Sequence, residues 1–147
     1  MSADKYSEKS GIQEMHFVFP SSLKNLTDVE KISEQIGREM ALSEDEKDNL
    51  AIAMTEAVGN AIVHGNKKDP KKEVKIDIQI KNKRKLFVSV TDEGHGFDPD
   101  GLIDPTHPDH LMNEHGRGIF ILKALMNDVL FSFSPQGTTL TFHMIKK

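Results

Sequence analysis

No stretch of the chain limits its fold more than "EVKIDIQIKNKRKLFVSVTD", Glu73 to Asp92. Val74, Ile76, Ile78 and Ile80 alternate with polar residues, and after "NKR" Leu86, Val88 and Val90 do the same. A period of two with apolar residues on one side is a half-buried strand, and two such runs joined by a short polar turn predict a hairpin with one wet face. The second strand runs directly into "DEGHGFDPDG". Glycines at Gly94 and Gly96 beside a strand end imply either a tight turn or something lying against the backbone, and the local sequence is compatible with both.

The other elements follow from the same periodicities. "EMHFVFP" is a short strand ended by Pro20, and Val29, Ile32, Ile36 and Met40 recur at helical spacing within "VEKISEQIGREMAL". A second helix opens at Ser43, with Glu46 three residues on as a capping box, and stays helix-compatible to Gly65 and Asn66. "GRGIFILKALMN" predicts a third helix, and "DVLFSFS" and "TTLTFHMI" two closing strands around "PQG". The polar first 13 residues are expected as a flexible leader, with one domain over 14–147. The fold class this order implies is α+β, a two-layer sandwich with helices on one face of a mixed, mostly antiparallel sheet.

Composition narrows the function classes. The chain has 147 residues and no cysteine, which removes disulfides and thiolate metal sites. Nineteen Lys+Arg against 23 Asp+Glu give a formal charge of −4, which argues against a general nucleic-acid binder. No apolar run approaches the ~20 residues of a membrane span, and a cytoplasmic location is expected.

Polar residues with chemical potential fall in three places. On the long helix, Glu56, Asn60 and His64 form an i, i+4, i+8 row beside the stripe of Leu50, Ala53, Ala57 and Ala61. Such a row is either a solvated flank or a carboxylate base one turn from an oxygen ligand for Mg²⁺, a cation that takes much of its coordination from substrate phosphates. "HGRGIF" sets glycines ahead of a helix, either as a plain turn or as an anion site at the helix N-terminus. Residues 97–116 form a long irregular connection with Pro99, Pro105 and Pro108, a length that favours a functional loop. His95, His107, His110 and His115 are also compatible with a divalent-metal site, because imidazole suits Zn or Ni. No G-x-x-x-x-G-K-[ST] occurs, and neither glycine cluster spells G-x-G-x-x-G after a strand.

Together these motifs resemble a known family. "TEAVGNAIVHGN", "DEGHGFD", "GRGIFIL" and "GTTLTF" look like the N box, the two glycine boxes and the terminal strand of the Bergerat ATP-binding fold, shared by gyrases, heat-shock chaperones, histidine kinases and mismatch-repair ATPases. With "HFVFP" ahead and "LMNDVLFS" near the end, the chain most resembles the bacterial anti-sigma-factor serine/threonine kinases, over roughly residues 15–145.

The resemblance implies ATP and Mg²⁺ as cofactors. It gives Asn60 to the metal and Glu56 to the base that activates an acceptor hydroxyl. Asp92 would accept from the adenine amine, with Gly94 and Gly96 letting base and ribose approach. Gly116, Arg117 and Gly118 would meet the phosphates, Thr138 would support the adenine end, His64 would be structural, and residues 98–115 would form a lid. The partners implied are a STAS-type anti-anti-sigma protein phosphorylated on Ser or Thr and a sigma factor held in a separate complex, the protein acting as a homodimer. The alternative is a non-catalytic regulator whose partner surface is ordered by ATP.

Overall fold

The computed structural model describes residues 2–9, 11–94 and 114–147, without the side chains of residues 2–9 and 114–117. The predicted hairpin stands at its centre. β3 (Glu73–Lys81) and β4 (Lys85–Thr91) pair antiparallel from Lys75↔Thr91 to Lys81↔Lys85, and all seven alternating apolar residues are at most 2% exposed. Asn82 and Lys83 turn the chain at φ 54° each, the left-handed pair that matches the twist of a tight hairpin.

Around it, β1 (Ser2–Lys9), β2 (Ile12–Pro20), β5 (Asp128–Ser134) and β6 (Gly137–Ile145) complete a six-stranded sheet of order β1-β2-β3-β4-β6-β5. Two expectations change here. Every described strand pair is antiparallel, so the sheet is not mixed. β4 and β5 do run in the same direction, but β6 lies between them and no parallel ladder forms. Residues Ser2–Lys9, expected within a flexible leader, pair with β2 from Ser2↔Val18 to Lys9↔Ile12. Main-chain groups on the open edge of β2 make that pairing, so a polar sequence supplies it without an apolar signature.

One face of the sheet carries the core. Phe17, Phe19, Ile76, Ile78, Val88 and Phe142 meet Ile32 and Ile36 of α1 (Leu26–Glu39), Leu50, Met54 and Val58 of α2 (Glu44–Asn60), and Ile119 and Leu122 of α3 (Glu114–Leu125) in one continuous cluster. The capping box at the start of α2 is complete: the Glu46 N–H donates to Ser43 Oγ at 3.2 Å and the Ser43 N–H to Glu46 Oε1 at 2.9 Å. The Lys147 N–H also donates to Glu46 Oε2, tying the end of the chain to this cap.

Hydrogen bonds from the Ser43 and Lys147 main chain hold the Glu46 carboxyl below its ordinary pKa. A depressed carboxylate stabilises the fold above its unfolded pKa, and that contribution is lost as pH falls through the folded value. Ser43→Ala is expected to cost about 1 kcal/mol, a drop of about 3 °C in the thermal midpoint at neutral pH. The deficit should shrink only slightly in acid, because the Ser43 hydroxyl is a lesser one of the groups that hold the Glu46 carboxyl down; thermal denaturation across pH reads both.

α2 does not run to Asn66 as one α-helix. After Asn60 the chain winds as a π-turn, Ala61–Gly65, closed by the Asn66 N–H donating to Ala61 O at 2.8 Å. The wider winding departs from the 100° rotation on which the row of Glu56, Asn60 and His64 was read.

Candidate functional site

Asp92 leaves the end of β4 and is buried, 7% exposed. β6 holds it from one side: the Asp92 N–H donates to Thr138 O at 2.9 Å, and the Thr138 N–H returns to Asp92 Oδ1 at 3.1 Å. The Gly94 N–H donates to the same Oδ1 at 3.0 Å, closing a tight turn. Burial is the largest influence on this carboxyl and raises its pKa above the ordinary value; the Gly94 and Thr138 amides and the charge of Lys72 pull the other way.

Three glycines press on this residue. A Cβ at Gly65 would overlap the Asp92 carboxylate, one at Gly137 would overlap the Asp92 carbonyl, and one at Gly94 would overlap the Gly65 carbonyl. The π-turn delivers Gly65 to that place and also buries Asn66 completely. The Asn66 side chain donates to Ser21 Oγ at 2.7 Å and Glu73 O at 3.0 Å, and its Oδ1 accepts from the Glu93 N–H at 2.7 Å. Ser21 in turn donates to Lys72 O. Asn66 thus ties the main chain just after Asp92 to Ser21 and to the start of β3. Gly65, Asn66 and Gly137 are the residues missed by sequence reasoning. The dipeptide "GN" was visible, but it is equally a plain helix stop.

Gly65→Ala tests this close approach. With Asp92 against it, an added methyl must move the carboxylate or the π-turn, and overpacking of this kind costs about 1–3 kcal/mol. Chemical denaturation is expected to show that loss.

The second half of the site lies where α3 crosses α2. A Cβ at Gly118 would stand 2.8 Å from Glu56 Oε2 and 3.2 Å from Asn60 Nδ2. Glycine here lets α3 approach the two polar side chains directly. Glu56 and Asn60 are half-buried on successive turns, and Asn60 Nδ2 is buried with no hydrogen-bond partner among the described residues. Oxygen and nitrogen of a carboxamide exchange by a flip, so this unsatisfied end can equally present an oxygen. A hard cation that is otherwise liganded by phosphate fits such a donor, and Mg²⁺ is one.

The second glycine cluster lies in helical backbone. Among the described residues α3 runs from Glu114, and both Gly116 and Gly118 belong to it. Gly118 provides clearance over Glu56 and Asn60. Thr138 reaches Asp92 through its main chain. Gly96, His95, His107, His110 and nearly all of the expected lid lie outside the described residues, as do the side chains of Arg117 and His115.

These two half-sites coincide with a known domain. A family model described as a histidine kinase-like ATPase domain matches residues 19–144. The chain is 35% identical over 100 residues to the serine-protein kinase RsbW of Bacillus subtilis (strain 168), a match spanning 64% of this chain and 62% of that protein's length. It is 29% identical over 140 residues to the anti-sigma F factor of the same strain, across 90% of this chain and 94% of that one. Among solved structures, the RsbU and RsbW domains of a Mycobacterium tuberculosis protein are similar at a TM-score of 0.66 and 18% identity, over 90% of this chain and 32% of that one. The mycobacterial sensor histidine kinase MprB gives 0.56 at 16% identity, over 90% and 98%. At those identities the structural likeness speaks for the fold alone.

Proposed function

Because the chain belongs to the histidine kinase-like ATPase domain family, we propose that it is an Mg·ATP-dependent protein serine/threonine kinase that acts as an anti-sigma factor. Its substrate is a Ser or Thr of a STAS-type anti-anti-sigma partner, and in a separate complex it sequesters a sigma factor. We place it in the cytoplasm as a homodimer built from one ATPase domain, to whose sheet β1 and β2 both belong. The names of its curated relatives, a serine-protein kinase and an anti-sigma factor, support this reading.

The observation that carries it is the pairing of the Glu56 carboxylate with the unsatisfied Asn60 carboxamide beneath Gly118. Phosphoryl transfer asks a protein mainly for positioning and charge stabilisation, and this arrangement offers both. Asp92 would accept from the exocyclic amine of adenine, with Gly94 and Gly96 giving the base and ribose room. Thr138 would hold Asp92 in place at the adenine end. The Gly116 amide and Arg117 would face the phosphates, Gly118 keeping α3 close enough for them to do so. Asn60 would hold Mg²⁺, which when bound neutralises phosphate charge. Glu56 would take the proton of the acceptor hydroxyl as its oxygen bonds to the γ-phosphorus, the bond to the bridging oxygen breaks and ADP leaves.

Incubation with γ-labelled ATP, Mg²⁺ and a recombinant STAS-type anti-anti-sigma protein is expected to leave acid-stable phosphoserine or phosphothreonine on that protein. Tight ATP binding with no transfer would instead establish the non-catalytic regulator.

A further inference from the structure

Among the described residues nothing requires Gly59 to be glycine. It lies in helical backbone one residue before the end of α2, and a Cβ added there would meet nothing within 4 Å among the described residues. Glycine inside a helix is less favourable than alanine because it loses more backbone entropy on folding, and no close packing by the described residues offsets that loss. Ile52, two turns earlier on α2, is a second oddity: 45% of it is exposed. At 3.6 residues per turn, Ile52, Glu56 and Gly59 fall within roughly 60° of one another on the helix surface. Glu56 has Gly118 of α3 against it on one side, and Ala53 and Ala57 are buried behind it. Among the described residues, the side of Glu56 left open is the one bordered by Ile52 and Gly59.

We infer that this strip of α2 is the docking surface for the acceptor segment of the phosphorylated partner, an inference that rests on the kinase reading above. Main chain beside the accepting Ser or Thr lies on Gly59, the hydroxyl meets Glu56, and an apolar side chain of the same segment covers Ile52. Asp45 and Asp48, exposed toward the N-terminal end of α2, continue the strip with negative charge. The occupant's chemistry follows from these positions. Ile52 and Gly59 are about 10 Å apart along the axis, the reach of about three extended residues. The segment therefore has an apolar residue about that far from its Ser or Thr, with a Lys or Arg beyond it facing Asp45 and Asp48.

The test compares Gly59→Ala, Gly59→Leu and Ile52→Asp with the wild type in thermal denaturation, ATP binding and transfer to a recombinant STAS-type anti-anti-sigma protein. Gly59→Ala is expected to raise the thermal midpoint, because a better helix former enters open space. Gly59→Leu and Ile52→Asp are expected to raise KM for the acceptor protein by about tenfold or more, with ATP affinity within about twofold of the wild type. Unchanged KM in both variants overturns the docking surface and leaves the kinase reading standing. Loss of ATP affinity in Gly59→Leu also overturns it, by placing Gly59 in the nucleotide pocket. A wild type that transfers nothing removes the kinase reading, and the docking surface with it.

Discussion

Asp92→Asn is expected to weaken ATP binding by roughly 100-fold while raising the thermal midpoint near neutral pH. The two effects have opposite signs because the carboxylate is costly to the fold and useful to the ligand. Both main-chain donors, Gly94 N–H and Thr138 N–H, go to Oδ1, which an asparagine oxygen replaces without rearrangement. The variant therefore keeps the turn and removes a buried charge. What it loses is an acceptor: a carboxamide nitrogen in place of Oδ2 sets a donor against the adenine amine, and an unsatisfied buried donor costs a few kcal/mol.

The pH dependence has a definite direction. Burial raises the Asp92 pKa, so the folded state keeps its proton to higher pH than the unfolded chain does. Folding stability accordingly falls as pH rises from the ordinary carboxylate pKa through the folded one, and the loss is complete above that. Asn has no such dependence. The gap in thermal midpoint between variant and wild type should open across that window and stay constant above it. Thermal denaturation at several pH values and calorimetric ATP titration measure the two halves, and an Asp92→Asn protein that binds ATP like the wild type would take Asp92 out of the adenine site.

The contrast between the two halves of the site also shows what a sequence can reveal. The β3–β4 hairpin was legible because alternation is a local property, and burial follows it residue by residue from Val74 to Val90. The Ser43–Glu46 cap was legible because both partners sit within one turn. Asp92 stood out through its neighbours Gly94 and Gly96, and the resemblance marked Glu56 and Asn60.

Features that depend on distant chain were hidden. Gly65, Gly94 and Gly137 surround one aspartate only because β6 pairs beside β4 and a π-turn ends α2. A regular 3.6-residue period cannot announce that turn, and the row of Glu56, Asn60 and His64 assumed that period through His64. The third helix was legible from "GRGIFILKALMN", but that Gly118 lies against Glu56 and Asn60 of α2 depends on the packing of two distant elements.

Glu56→Gln is expected to slow phosphoryl transfer by roughly 10²–10⁴-fold, the usual contribution of a positioned general base, with ATP affinity unchanged. The substitution keeps the side chain's length beneath Gly118, so the close crossing of α3 over α2 is preserved. What disappears is the capacity to take a proton from the acceptor hydroxyl. Asn60→Ala should behave differently. Removing the carboxamide takes away the proposed oxygen ligand, so the Mg²⁺-dependent part of ATP affinity should fall along with transfer. Single-turnover transfer to the acceptor protein, set beside ATP titration with and without Mg²⁺, separates a base from a metal ligand one turn away. Wild-type transfer in Glu56→Gln would move the base role elsewhere, and an Asn60→Ala protein whose Mg²⁺ dependence matches the wild type would leave the unsatisfied amide beneath Gly118 without a ligand to explain it.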